Sequence, residues 1–193
     1  MAYLTEYELK ELGLKKIGKN VKISTKASIY NPELIEIGDN SRIDDFCIIS
    51  GKVIIGRNVH ITPFCLLAGG EEGIILEDFT TLAYGVTIFT RSDDYSGETL
   101  TNSTIPIKYR YKTIKAPVIV KRFSIIGTRS VIFPGVVLEE GTAIGAMSLV
   151  NKSTEPWSIY VGIPAKKIKD RSKDLLKQFQ EYIQQEYIND ENI

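Results

Sequence analysis

Aliphatic residues recur every six positions along most of this chain. Ile17, Ile23 and Ile29 form one run; Ile37, Ile43, Ile49, Ile55, Ile61 and Leu67 a second; Leu76, Leu82 and Ile88 a third; Val120, Ile126, Ile132, Leu138, Ile144 and Val150 a fourth. Four places after them stand mostly small or β-branched residues, among them Val21, Ser41, Cys47, Val59, Cys65, Ser124, Ser130 and Ser148. Glycine follows the aliphatic residue at Gly18, Gly38, Gly56, Gly127 and Gly145. A period of six fits neither the 3.6 of a helix nor an unbroken alternation of two. It predicts a triangular parallel coil of three short strands per turn, an aliphatic side chain inside each face, a small residue at each corner, and glycine where a Cβ would be penalised. The eighteen hexads make about six coils. A β-sandwich would show period-two strands and turn signals every 8 to 12 residues, which this chain lacks. The repeat does not fix the hand of the coil, although parallel crossovers are generally right-handed.

Two of the breaks between these runs carry insertions of note. "AGGEEGI" at 68–74 shifts the register by three residues, and its Glu71 and Glu72 read as part of a solvated loop. A longer insertion, 91–116, begins in "RSDDYSG" and carries Tyr95, Tyr109, Arg110 and Tyr111. Connections of that length in compact domains are usually either functional or disordered. At the N-terminus Thr5 and Glu8 have the spacing of a capping box and Gly13 closes a short helix. From Ser172 onward, Leu175, Leu176, Phe179, Tyr182 and Ile183 fall at helical spacing. The expected organisation is an N-terminal helix in 1–14, a β-helix domain in 15–170, and a C-terminal amphipathic helix in 171–193.

Charge narrows the function classes. Twenty-four Lys and Arg balance twenty-four Asp and Glu, so no basic field favours nucleic acid or a membrane surface. No run of about 18 apolar residues occurs, and the charged N-terminus reads as that of a cytoplasmic protein. Cys47 and Cys65 are expected as buried free thiols in consecutive coils, and a single histidine gives no metal cluster. The outward positions of one face, Ile48, Leu66, Ala68, Phe89, Val131, Phe133 and Leu149, are apolar, which predicts self-association by rotational symmetry. A second face is polar low down, with Lys22, Arg42, Asp44, His60 and Thr62, and bare higher up at Gly127 and Gly145.

The stretches "IGDNSRIDDFCIISGKVIIGRNVHI" and "IVKRFSIIGTRSVIFPGVVLEEGTAIGAMSLV", closing on "VGIPAKKIKDR", resemble the hexapeptide-repeat acyltransferases over residues 15–170. That resemblance implies a left-handed parallel β-helix, a homotrimer, and acyl-coenzyme A in a groove between neighbouring subunits. The "SDDYSG" loop with "TNSTIP" is most similar to the branch that acylates sugars for surface polysaccharides such as O-antigen, including the amines of nucleotide-linked amino-deoxy sugars. The implied function is an acetyl-CoA-dependent N-acetyltransferase. The alternatives are a sugar O-acetyltransferase and, from another class, a non-catalytic hexapeptide scaffold. Coenzyme A carries over onto Gly127, Thr128, Gly145, Ala146 and Asn151 for the pantetheine arm, Lys152, Lys166 and Lys169 near the phosphates, and Ile163 and Pro164 against the adenine. Asp44, Arg91, Tyr95 and Tyr109 are the candidate acceptor-binding residues.

Where sugar-acylating relatives carry a histidine base, this chain has Asp93 and Asp94. Three assignments are open. Asp94 or Asp93 accepts the proton, which suits an amine; His60 accepts it with Asp44 behind the ring; or a water or the thioester leaving group does so. Against these stand plainer roles, since Asp-Asp-Tyr with a following glycine is good turn chemistry and an outward histidine is often a packing residue.

Overall fold

The computed structural model describes residues 2–190, so the end of the expected C-terminal helix, 191–193, lies outside the described residues. The hexads wind a triangular solenoid with three parallel sheets. The first face carries Ile17, Ile37, Ile55, Leu76, Val120 and Leu138; the second Ile23, Ile43, Ile61, Leu82, Ile126 and Ile144; the third Ile29, Ile49, Leu67, Ile88, Ile132 and Val150. All of these but Ile17 and Ile29, in the bottom coil, are buried. Six coils are complete, and Ser158–Gly162 opens a seventh by pairing on the second face, with Ile159 against Ala143 and Tyr160 against Ile144. The six complete coils match the expected number, and in the turn above them Tyr160 stands where an aliphatic residue would be.

Small corner residues link the coils. The Ser41 hydroxyl donates to the Gly56 carbonyl (2.7 Å) and accepts the Val59 N–H (3.0 Å), and Ser130 does the same with Gly145 (2.9 Å) and Ser148 (3.2 Å). Cys47 and Cys65 are buried free thiols at such positions, and the Cys47 thiol donates to the Thr62 carbonyl at 3.1 Å. The glycines after the aliphatic residues serve close approach between coils: a Cβ on Gly38 would stand 2.6 Å from the Gly56 carbonyl carbon. Left-handed backbone is handled elsewhere, at the corner between the first and second faces, by Asn20, Asn40 and Asn58 and then by Phe79, Phe123 and Trp157. Asparagine tolerates this conformation, whereas a bulky residue there is an outlier that needs compensation.

Helix α2 (Leu175–Asp190) supplies it. Phe179 meets Phe79 and Phe123 edge-on at 5.1 and 5.0 Å, Tyr182 meets Phe79 at 5.9 Å, and the Asn58 amide donates to the Tyr182 hydroxyl at 3.0 Å. The half-buried Arg171 fastens the approach to the helix by donating to the carbonyls of Phe123 (2.8 Å) and Gly141 (3.0 Å). The chain before α2 differs from the expected boundary at 171: Ala165–Asp170 turns back as a strand antiparallel to Ser158–Gly162, and the helix starts four residues later than 171. Phe179→Ala should reduce stability by about 1.5 kcal/mol, below the 3–5 kcal/mol of a fully buried Phe because the ring is only half-buried, and a lower urea midpoint with an unchanged slope would show it.

Helix α1 (Glu6–Glu11) has the predicted capping box, with Thr5 N–H to the Glu8 carboxylate at 2.7 Å and Glu8 N–H to the Thr5 hydroxyl at 3.3 Å. Before it, Tyr3 bridges Ser24 antiparallel and Leu4 N–H bonds the Ile23 carbonyl (2.8 Å), so the N-terminal segment lies against the bottom coil. The 91–116 insertion is more ordered than a structureless loop. Arg91–Ser92 pairs antiparallel with Ile114–Lys115, and a short 3-10 turn spans Ile107–Tyr109.

Candidate active site

Parallel stacking places residues of equal phase side by side, and this builds a polar cluster low on the second face. His60 stands in register beside Arg42, and Asp44 is the next outward residue after Arg42. The Asp44 carboxylate, only 2% exposed, accepts from Arg42 Nε (2.6 Å) and Nη2 (3.0 Å), faces His60 Nε2 at 2.9 Å, and is reached by the Tyr3 hydroxyl at 3.4 Å. Burial by itself would push the Asp44 carboxyl up, but hydrogen bonds from Arg42 and His60 outweigh it and hold the group below its ordinary value. Tyr3 lies under the cations of Arg42 (5.7 Å) and Lys22 (6.0 Å), and its phenol is pushed up by burial, opposed by Arg42. The arrangement fixes one imidazole nitrogen on a carboxylate and leaves the ring 38% exposed, which suits a group that takes and returns a proton.

The two loop aspartates differ sharply. Asp94 closes its own turn: Oδ1 accepts from Ser96 N–H (2.8 Å) and Oγ (2.6 Å), while Oδ2 accepts from the N–H groups of Glu98 (3.1 Å) and Thr99 (2.9 Å) and from Thr99 Oγ1 (3.2 Å). These donors, Ser96 first, depress its pKa to about 2. Asp93 accepts one bond, from Asn102 N–H at 3.0 Å, and lines a cleft of about 440 Å³ with Arg91, Ser92, Asn102, Ser103, Arg110 and Thr113. Arg91, expected to meet the acceptor, is paired with Glu71 and Glu72, both at 3.1 Å. The "AGGEEGI" insertion thus clamps the base of the long loop, a role that neither segment discloses in isolation. Tyr95 and Tyr109 are exposed on the same loop, with Lys108 over the Tyr109 ring at 4.8 Å.

Two to four coils above His60, the candidate coenzyme A positions form a separate group. Gly127 and Gly145 donate their N–H groups to the coils above (2.8 Å to Ile144 and 2.8 Å to Tyr160), and a Cβ on Gly145 would fall 2.6 Å from Val161. Their bareness therefore has a packing cause. The N–H groups of Thr128 and Ala146, one residue on, make no hydrogen bond among the described residues. Asn151 and Lys152 are exposed at the end of the sixth coil. Ile163 and Pro164, joined by a cis peptide, form the tip of the antiparallel ribbon with Ile163 in solvent, and Lys166 and Lys169 stand exposed on its return strand. Lys167, between them, is tied to Glu155 (2.7 Å) and Asp170 (2.8 Å). Among the described residues no group of three or more His, Cys, Asp or Glu could hold a metal ion, and no helix is long and apolar enough to cross a membrane.

Sequence reasoning missed Tyr3 and undervalued Arg42. Arg42 was accessible in principle, since residues two apart on one strand share a face; Tyr3 arrives from a segment outside the repeat and carries no periodic signal.

Comparison with known proteins identifies the family. The bacterial transferase hexapeptide (six repeats) family matches residues 35–69. The dTDP-4-amino-4,6-dideoxy-D-glucose acyltransferase of Escherichia coli is 41% identical over 180 residues, covering 92% of this chain and 93% of that protein. AntD, an N-acyltransferase from Bacillus cereus solved with dTDP and 3-hydroxybutyryl-CoA, is 47% identical with a TM-score of 0.93, covering 94% of this chain and 96% of that one. A serine mutant of AntD, solved with dTDP-4-amino-4,6-dideoxyglucose and coenzyme A, is 47% identical at a TM-score of 0.92, covering 94% and 97%. The coil is thus the left-handed form, against the general preference for right-handed crossovers. The chain belongs to the hexapeptide-repeat, left-handed β-helix acyltransferases, in their nucleotide-sugar branch.

Proposed function

We infer that the chain transfers an acyl group from acyl-coenzyme A to the primary amine of a dTDP-linked 4-amino-4,6-dideoxy sugar. The observation that carries this is the near full-length likeness to the Escherichia coli acyltransferase, coupled to a solenoid that superimposes on AntD throughout. In the reaction the amine nitrogen attacks the thioester carbonyl carbon, the C–S bond breaks, and the nitrogen's surplus proton ends on the departing sulfur. We assign the carrying of that proton to His60, supported by its contact with Asp44. Asp94 is a poor acceptor at about 2, because a base works best with a pKa near the working pH. Its charge and turn instead shape the loop around the cationic amine, with Asp93, Tyr95 and Tyr109 beside it. Arg91 acts as the loop's anchor.

Thr128, Ala146 and Asn151 supply the edge for the pantetheine arm, with Gly127 and Gly145 beneath it, Lys152, Lys166 and Lys169 for the phosphates, and Ile163 and Pro164 for the adenine. The apolar outward residues of the third face support a homotrimer, whose inter-subunit grooves would hold the donor. Acetyl is the acyl group of first choice, and a cytoplasmic place in surface-polysaccharide synthesis such as O-antigen follows from the acceptor class.

Thiol release tests this with acetyl-CoA or 3-hydroxybutyryl-CoA and either dTDP-4-amino-4,6-dideoxyglucose or dTDP-glucose as acceptor. Release with the amine alone is expected. Equal rates on the hydroxyl analogue would make the enzyme an O-acyltransferase, and release with neither acceptor would remove the proposed activity.

A further inference from the structure

The second face ends at its top in an edge strand, Ala165–Asp170, which pairs with Ser158–Gly162 and lies last in that sheet. Its register continues the outward columns of the face. His60, Thr81, Ile125, Ala143 and Ile159 stand one above another with Lys169 as the partner of Ile159, and Lys166 is the partner of Val161, the residue that closes on Gly145. Both lysines are exposed and make no ion pair among the described residues, whereas Lys167 between them is tied to Glu155 and Asp170. A strand paired on one side only needs a further tie to keep two such cations in place. Arg171, the next residue, supplies it. Its backbone N–H donates to the Trp157 carbonyl (2.7 Å), and its Nη1 donates to the carbonyls of Phe123 (2.8 Å) and Gly141 (3.0 Å). Phe123, Gly141 and Trp157 are left-handed residues of three successive coils at the corner between the first and second faces, so one residue is fastened to three rungs. The acceptors are backbone carbonyls, and no carboxylate pairs with Arg171 among the described residues, so the position of the strand's end is set by the coil itself.

We propose that Arg171 is a positioning residue for the acyl donor: by fastening the return strand of the ribbon to three coils, it holds Lys166 and Lys169 over the second face, where they meet the phosphates of coenzyme A. The inference rests on the ribbon belonging to the donor site, as proposed above. A lysine is a point charge on a flexible stem, and it binds a phosphate best when the backbone beneath it is already fixed. Arg171 is bonded at the corner and acts through the strand that precedes it. Its removal therefore leaves both lysines present and charged but no longer held at one height.

Calorimetric titration of the full chain with coenzyme A and, separately, with dTDP tests this in wild type, in Arg171→Met, in Lys166→Ala combined with Lys169→Ala, and in the variant carrying all three changes. Arg171→Met should weaken coenzyme A by about tenfold and leave dTDP within about twofold. The two lysine changes should also weaken coenzyme A by about tenfold in the wild-type background, but by no more than about twofold on top of Arg171→Met, because groups that act as one unit do not add. Additive losses, the behaviour of an arginine that only braces the fold, would overturn the proposal, as would unchanged coenzyme A affinity in Arg171→Met. If Arg171→Met does not fold, Arg171→Lys takes its place in the same cycle: it keeps the cation on a chain too short to reach both carbonyls, and a coenzyme A loss below about twofold refutes the proposal. Lysine changes that leave the wild-type affinity for coenzyme A intact would remove the ribbon from the donor site, which distinguishes failure of that earlier reading from failure of the coupling to Arg171.

Discussion

An Asp44→Asn enzyme is expected to lose both stability and turnover. The carboxylate takes two hydrogen bonds from Arg42 and one from His60 while nearly fully buried, so an amide in its place leaves the guanidinium facing a neutral group. Breaking a fully buried pair costs about 3–5 kcal/mol. Here the cations are 40% and 38% exposed and water recovers part of the loss, which brings the expectation to about 2 kcal/mol. The pH dependence has a definite sign. The folded carboxyl lies below its ordinary value, so the stability it contributes is fully present above pH ~4 and declines as pH falls through the folded value. Urea denaturation at pH 7 and at pH 3 should therefore separate wild type from the variant more at pH 7. Turnover should fall on the order of a hundredfold with little change in the KM for acyl-CoA, because His60 loses the partner that fixes its tautomer. An unchanged kcat would reduce the cluster to a brace for the lower coils and remove His60 from the reaction.

The division between what the chain disclosed and what it concealed follows from period. The inward Ile, Leu and Val positions and the small corner residues are fixed by a repeat that each coil copies from the last, so the three faces and their stacking phase could be read directly. The Asp44–His60 pair was legible for the same reason, as both lie on one face in neighbouring coils. Interactions across the breaks carry no such phase. Glu71 and Glu72 meet Arg91 only because a three-residue shift and a long insertion emerge at the same corner. Tyr3 reaches Asp44 because the N-terminal segment folds beneath the first coil. The bare look of Gly127 and Gly145 pointed to a groove, whereas their missing β-carbons admit the coil above. The left-handed aromatic positions were hidden for another reason: sequence rules assign that backbone to glycine or asparagine, and Phe79, Phe123 and Trp157 adopt it where other aromatic side chains pack on them.

Asp94→Asn should raise the KM for the amine acceptor on the order of thirtyfold and leave kcat, measured at saturating acceptor, within about threefold of wild type. All five groups that contact Asp94 are donors, so an asparagine whose amide replaces one oxygen sets N–H against N–H, and the 94–99 turn opens. An acceptor-binding loop that has lost its shape binds the amine less well, and a group that only shapes the loop does not enter the chemical step. The protonation behaviour supports the same division of labour. At about 2 the carboxyl is ionised throughout the working range, and its contribution to loop order, present above pH ~4, is lost only as pH falls through about 2. It therefore produces no inflection in kcat/KM between pH 5 and 9, where any inflection belongs to His60 or to the acceptor amine. A hundredfold fall in kcat with unchanged acceptor KM would reverse the assignment and make Asp94 the proton acceptor. That split between KM and kcat, taken with the pH profile of His60→Ala, decides which of the two histidine-or-aspartate chemistries this site uses.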